Sequence, residues 1–298
     1  MDFLAKLNAH ERDANISFDA GPHKYTINGH EGRAYTSVTT WTHTHFGDFN
    51  ADAIIATMMK GKGWPKSKYF GQSPAEIKAG WDRGRDEAAT AGTLLHYQIE
   101  CYYNACSAAD ACSAADACSA ADACSAADAC SAADACSAAN ACSAANACSA
   151  ADATPSIEYT YFLNFIAACP ELKPYRTEWT IYHEELRIAG SVDMVYENPD
   201  GTLMIYDWKR AKDIVKTTPF MKYAKTECIS HLPDTNFWHY ALQLNTYKTI
   251  IEQKYGKKVV KLALVCLHPI KKNFEVIALP ILTSEMEALV ALRLEQIK

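Results

Sequence analysis

The stretch GSVDMVYENPDGTLMIYDWKR, residues 190–210, decides how this chain folds. Its two halves are rich in β-branched, aromatic and aliphatic residues and flank Asn198-Pro199-Asp200-Gly201, so they read as two strands joined by a tight turn. Pro199 suits the second position of a type I turn, and Gly201 suits the left-handed residue that follows. A three-residue loop Pro199-Asp200-Gly201 pairs Asn198 with Thr202, and facing residue numbers then sum to 400. Asp193 is thereby set opposite Asp207, with Cβ atoms about 4.5–5.5 Å apart on one face. Strand alternation puts Lys209 on the face of Asp207 and sends Met204, Tyr206 and Trp208 to the other, which reads as a packing surface.

Two carboxylates so placed repel each other unless a cation lies between them. A hard, oxygen-ligated site with room for water suits Mg²⁺ or Mn²⁺. Such an ion would polarise a phosphate and acidify a water, while Lys209 would orient that water or stabilise developing charge. Seen alone, an Asp-x-Lys on a strand is more often a solvated cross-strand ion pair. The apolar run Leu203–Tyr206 ahead of Asp207 argues for burial, and buried charges need partners.

Working outward, EWTIYHEE (178–185) supplies a third strand, so an antiparallel meander is expected through residue 209. Residues 157–169 read as an amphipathic helix, and 235–255 as a second one stopping at Gly256. KLALVCLHP (261–269) and FEVIALP (274–280) are further strands, and Ser284 with Glu287 forms a capping box for the last helix. Helix, three strands, helix, strand is an α/β order, with a mixed sheet flanked by helices. Before it, HKYTI (23–27), an Asn28-Gly29 turn and YTSVTT (35–40) read as a hairpin. Residues 50–60 are helical, capped by Asn50 or Asp52, and Ser73-Pro74 opens a helix or helix pair reaching Tyr103. The expected organisation is an accessory segment 1–79, a first core helix 80–104, an insertion 105–152, and the core 153–298.

The insertion is eight near-identical hexads, ACSAAD or ACSAAN, holding eight of the twelve cysteines. Uniform six-residue spacing with no His suits neither a disulfide framework nor zinc. Six residues advance a helix by about 240° net, so no continuous apolar stripe results. It reads as a low-complexity tract, partly helical or disordered, produced by tandem expansion. Its six Asp account for the formal charge of −6; the remaining 29 acidic residues balance the 29 basic ones. Local basic clusters then matter more than net charge for holding phosphates. One is Lys60, Lys62, Lys66 and Lys68, interleaved with aromatics at Trp64–Phe70; the other runs from Lys209 and Arg210 to Lys225. The first reads either as a docked surface loop or as a platform stacking the bases of a single strand. With no apolar h-region at the start and no membrane-spanning run, a soluble intracellular protein (cytoplasm or nucleus) is expected. No G-x-x-x-x-G-K-[ST] occurs, so a nucleotide cofactor is not expected.

The pattern G-(x)2-D, a turn, and an apolar strand ending in D-W-K resembles the core of the PD-(D/E)xK nuclease superfamily. It is similar there to RecB-type and related exonuclease-like members, including those encoded by large DNA viruses. Two further motifs support the resemblance: G-T-x-x-H-x-x-x-E, at Gly92, Thr93, His96 and Glu100, and Q-x-x-x-Y, at Gln243 and Tyr247. It implies a restriction-endonuclease-like core, α-β-β-β-α-β. It also implies that Asp193, Asp207, His96 and the Trp208 backbone carbonyl hold Mg²⁺ or Mn²⁺, and that Lys209 is catalytic. Glu100 would fix His96 or bind a water, and Gln243 and Tyr247 would position Lys209 or the DNA. Glu178 reads as a strand-edge carboxylate or an acid supporting the ligands. The acid after the turn is Asp, not Glu, and no Pro precedes Asp193. The implied activity is hydrolysis of DNA phosphodiester bonds by an exonuclease in replication, recombination or repair. A structure-specific endonuclease or a catalytically silent nucleic-acid-binding relative are the alternatives.

Overall fold

A computed structural model describes residues 3–19, 21–30, 32–107, 155–218 and 221–297. Nearly all of the hexad tract therefore lies outside the described residues. The centre is a six-stranded mixed sheet built from β3 (Thr36–Ser37), β4 (Lys173–His183), β5 (Ile188–Glu197), β6 (Leu203–Lys209), β7 (Val259–Cys266) and β8 (Glu275–Leu279). β4, β5 and β6 form the expected meander, and β7 lies parallel to β6. A parallel neighbour requires a long crossover, and helix α6 (Asn236–Lys254) provides it.

Alternation along β6 sorts the two sides of the sheet. Leu203 and Ile205 enter one core with Val38, Trp41, Leu244, Tyr247 and Met286. Met204, Tyr206 and Trp208 enter the other with Leu95, Ile99, Phe162 and Phe165. The first core lies under α2 (Val38–His43), α6 and α7 (Thr283–Gln296). The second lies under α1 (Phe3–Leu7), α4 (Pro74–Ser107) and α5 (Ile157–Ala168). α4 is one continuous helix. It opens with a reciprocal box in which Ser73 N–H donates to Glu76 Oε2 and Glu76 N–H donates to Ser73 Oγ. α3 (Ala51–Lys60) packs on its first half, and Asn50 is the cap, accepting from Ala53 N–H.

Three expectations fail locally. The N-terminal hairpin joins β1 (Ile16–Asp19) to β2 (Lys24–Ile27), so HKYTI pairs backward, not across Asn28-Gly29. The Asn-Gly pair does make a turn, with Gly29 at φ +76°, but Asn28 spends its N–H and amide on Asn15 and Ala14. YTSVTT becomes a two-residue strand, parallel to Ile188-Ala189, because Ser37 caps a helix by accepting from Thr40 N–H. The last helix lacks the Ser284–Glu287 box: it starts at Thr283, and buried Asn245 on α6 accepts the Leu282 N–H at 2.8 Å.

Candidate active site and metal centre

The β5–β6 hairpin has the expected register. Met194 faces Tyr206 and Glu197 faces Leu203, Asn198 N–H donates to Thr202 O at 2.8 Å, and Gly201 sits at φ +79°. The ladder ends at Met194. Past it, the Asp193 side chain takes over as acceptor: its Oδ2 receives the Trp208 N–H at 3.0 Å. On the same edge β5 changes neighbour, pairing with β3 at Ile188-Ala189. Asp193 thus stands in the gap where β6 leaves and β3 has yet to arrive.

Asp207 is 1% exposed. Lys209 Nζ lies 2.5 Å from its Oδ2. That contact pairs the buried carboxylate with the ammonium and leaves Asp207 Oδ1 without a hydrogen-bond partner among the described residues. Burial first, and then the Asp193 charge, push the Asp207 carboxyl up to about 6 against the pull of Lys209. Burial also raises Asp193, with Glu178 adding to it and His96 and Lys209 opposing. Burial works to lower Lys209, but Asp207 and Asp193 outweigh it, so the ammonium stays charged. The Tyr240 ring lies 4.9 Å from its Nζ, a cation–π contact.

His96 enters from α4. Its Nε2 is 3.1 Å from the Trp208 backbone carbonyl oxygen, and its Nδ1 is 3.5 Å from Glu178 Oε1 and 3.6 Å from Asp193 Oδ2. Burial would lower the imidazole, but Asp193 and Glu178 prevail and raise it to about 9. Glu178 is held unusually. The ladder pairs Thr177 with Met194 and Trp179 with Val192, leaving Glu178 across from Asp193 at φ +43°. A non-glycine residue there is strained by about 1–3 kcal/mol, and such strain gathers at functional sites. Glu178 Oε2 accepts from Ser191 Oγ at 3.1 Å, which fixes the carboxylate.

His96, Glu178 and Asp193 bring one ligand atom each within 4.8 Å of one another. Glu178, expected as a strand-edge carboxylate or an acid supporting the ligands, is the member of this group that β4 supplies. Tyr240, a neighbour of Lys209 not singled out from the sequence, precedes Gln243 by one helical turn. Gln243 and Tyr247 do meet, the amide donating to the phenol oxygen at 3.1 Å. Tyr247 is raised well above its ordinary value by burial, with both aspartates adding. Gly190 explains how the ring gets so close: a Cβ there would lie 2.8 Å from Tyr247 Cε1 and 3.1 Å from Val38 Cγ2.

Three carboxylates, an imidazole and a backbone carbonyl gather around one ammonium, and Oδ1 of the most buried carboxylate has no hydrogen-bond partner among the described residues. This oxygen-rich donor set fits a hard divalent cation. Residues 67–297, well over half of the chain, match the family profile of the PD-(D/E)XK nuclease superfamily. The chain belongs to that superfamily. No relative among curated proteins matches it. PD-(D/E)XK membership implies a nuclease, a hydrolase of DNA whose kind typically uses divalent metals, and the mixed sheet flanked by helices agrees with its restriction-endonuclease-like fold. No helix among the described residues is long and apolar enough to cross a membrane.

Proposed function

We propose that this nuclease is a Mg²⁺- or Mn²⁺-dependent DNA exonuclease that processes ends during replication, recombination or repair. The observation that carries the reading is the convergence of His96, Glu178 and Asp193 beside buried Asp207, which Lys209 touches at 2.5 Å. Asp193, Asp207, His96 and the Trp208 carbonyl would hold the ion, with Glu178 supporting them or binding directly. A bound ion polarises the scissile phosphate and lowers the pKa of an attacking water. Lys209, charged beside its two aspartates, would donate to the water or to the phosphate oxygen that gains charge. Tyr240 beneath its Nζ, with Gln243 one turn on and Tyr247 about two, limits where that ammonium goes. The helix motif around His96 and the Gln243–Tyr247 pair, as in RecB-type members, support the exonuclease assignment.

The test compares wild type with Lys209→Ala on end-labelled linear DNA and on covalently closed circles, with Mg²⁺ and with EDTA. Expected are release from ends only, abolition by EDTA, and a loss on the order of 10²–10³-fold in the variant. Equal cleavage by the variant removes Lys209 from the chemistry. Cutting of closed circles makes the protein an endonuclease, and no cleavage under any condition makes it a silent relative.

A further inference from the structure

Residues 60–72, KGKGWPKSKYFGQ, carry four lysines and no acidic residue. All four, Lys60, Lys62, Lys66 and Lys68, are exposed. So is Phe70, at 58%, and so is nearby Phe49, at 75%. Exposed phenyl rings among uncompensated cations are a poor match for water alone. The segment is ordered by its own turns: Lys66 N–H donates to Gly63 O, Ser67 N–H to Trp64 O, and Phe70 N–H to Ser67 O, each at 2.9–3.0 Å. Trp64 meets Phe70 edge to face at 6.0 Å. Trp81 on α4 ties the segment down, donating from Nε1 to Tyr69 OH at 2.8 Å and lying 6.2 Å from the Phe49 ring.

The same helix carries the candidate metal ligand. Trp81 and His96 are fifteen residues apart on α4, about 22 Å along the axis, within reach of a short run of nucleotides. Lys212, three residues past Lys209, is near enough to Tyr69 for its charge to act on the phenol. Burial tends to raise the Tyr69 phenol, yet Trp81, Lys68 and Lys212 together hold it below its ordinary value.

We propose that residues 60–72, with Phe49, form a platform for single-stranded nucleic acid that holds the substrate strand leading to the metal centre. The proposal rests on the nuclease reading and adds the form of the substrate. Lysines that match phosphates are indifferent to strandedness. Aromatic faces are not, because only unpaired bases offer their own faces for stacking. The combination of the two selects a single strand.

The experiment measures fluorescence anisotropy of labelled oligo(dT) and of a duplex of equal length with the full chain in EDTA, where no cleavage intervenes. The variants are Phe70→Ala, Phe70→Tyr and the double variant Lys66→Ala/Lys68→Ala, each with its fold verified by circular dichroism and melting. Phe70→Ala is expected to weaken oligo(dT) binding roughly 5- to 150-fold and Phe70→Tyr to restore it, with little change on duplex. The lysine variant is expected to reduce the slope of log K against log[salt] by about 1.4, at about 0.7 for each single-strand phosphate contact. Unchanged oligo(dT) binding in all variants overturns the platform, as do equal losses on duplex. Cleavage in Mg²⁺ is scored separately: variant-sensitive binding without metal-dependent cleavage would overturn the nuclease reading and leave the platform standing.

Discussion

Gly190→Ala is the smallest change that should disturb the site without touching a charge. The new methyl would lie 2.8 Å from Tyr247 Cε1 and 3.1–3.2 Å from the Val38 side chain. Tyr247 and Val38 are both fully packed, with Tyr247 bonded through its hydroxyl to Gln243, so neither is a flexible end that swings aside. Overpacking of this kind costs about 1–3 kcal/mol. Loss of glycine entropy in the unfolded chain returns about 0.4–1 kcal/mol. The net is a loss of about 1–2 kcal/mol, read as a fall in Tm of roughly 2–8 °C at this chain size. Because the displaced ring lies beside both aspartates, kcat should fall while the affinity for oligonucleotide in EDTA is kept. Val38→Ala removes the Cγ2 contact and leaves Cβ at 3.2 Å, so a thermal-melting cycle of the two single variants and the double should show coupling above about 0.5 kcal/mol. A Gly190→Ala protein that melts and turns over like wild type, with additive effects in the cycle, would refute the close-approach reasoning.

Other consequences follow from the charges. Mg²⁺ at about a hundred times its Kd should stabilise the wild type by about 2.7 kcal/mol in a melting titration, and Asp193→Asn should abolish the response. In EDTA, Asp207→Asn should melt above wild type at pH 7: burial, with Asp193, raises the folded-state carboxyl from 3.8 to about 6, so ionisation removes stability as pH climbs through that window. The advantage should vanish below pH 4, and its persistence there would argue for a packing effect. Glu178→Gln should weaken Mn²⁺ binding about 10–100-fold by calorimetry; unchanged affinity would confine Glu178 to a structural role. Glu184 provides the opposite pH sign. Burial raises it, but Arg12, 2.7 Å away, prevails and holds it at about 2, so its stabilisation is complete above pH 4.5 and is lost as pH falls toward 2. Glu184→Gln should flatten that part of the acid limb in urea melts at pH 5 and pH 3.

What was legible in the sequence is what short-range chemistry specifies. Pro199 and Gly201 set a turn, the turn sets a register, and the register brings Asp193, Asp207 and Lys209 to one place before any tertiary contact is known. The alternation of β6 between two cores follows from the same period of two. The failures are where a distant partner wins. Asn28-Gly29 has the local signature of a hairpin tip, but Asn15 offers its carbonyl to the Asn28 amide, so the pairing closes on the earlier strand. Ser284 and Glu287 have the spacing of a capping box, but Asn245, a helix away, caps that turn first. Glu178 reaches the His96 imidazole from β4, a contact that becomes visible only once the β4–β5 register is known.

The site lies where the sheet departs most from regular strand geometry, and the departures are linked. A regular β5 would continue pairing with β6 through residue 193 and would carry ladder partners for Glu178 on its other side. Instead the ladder ends at Met194, Asp193 turns its carboxylate to the Trp208 amide, and Glu178 takes a left-handed conformation across from it. Gly190 then lets α6 press Tyr247 into the same interval. In the interval they leave, His96 meets Glu178 and Asp193 from α4, in the opposite helical layer. A closed ladder would satisfy the Trp208 amide with a carbonyl and leave Asp193 no reason to face inward. The gap is what converts a hairpin bearing two aspartates and a lysine into a place where a cation has oxygen ligands on several sides.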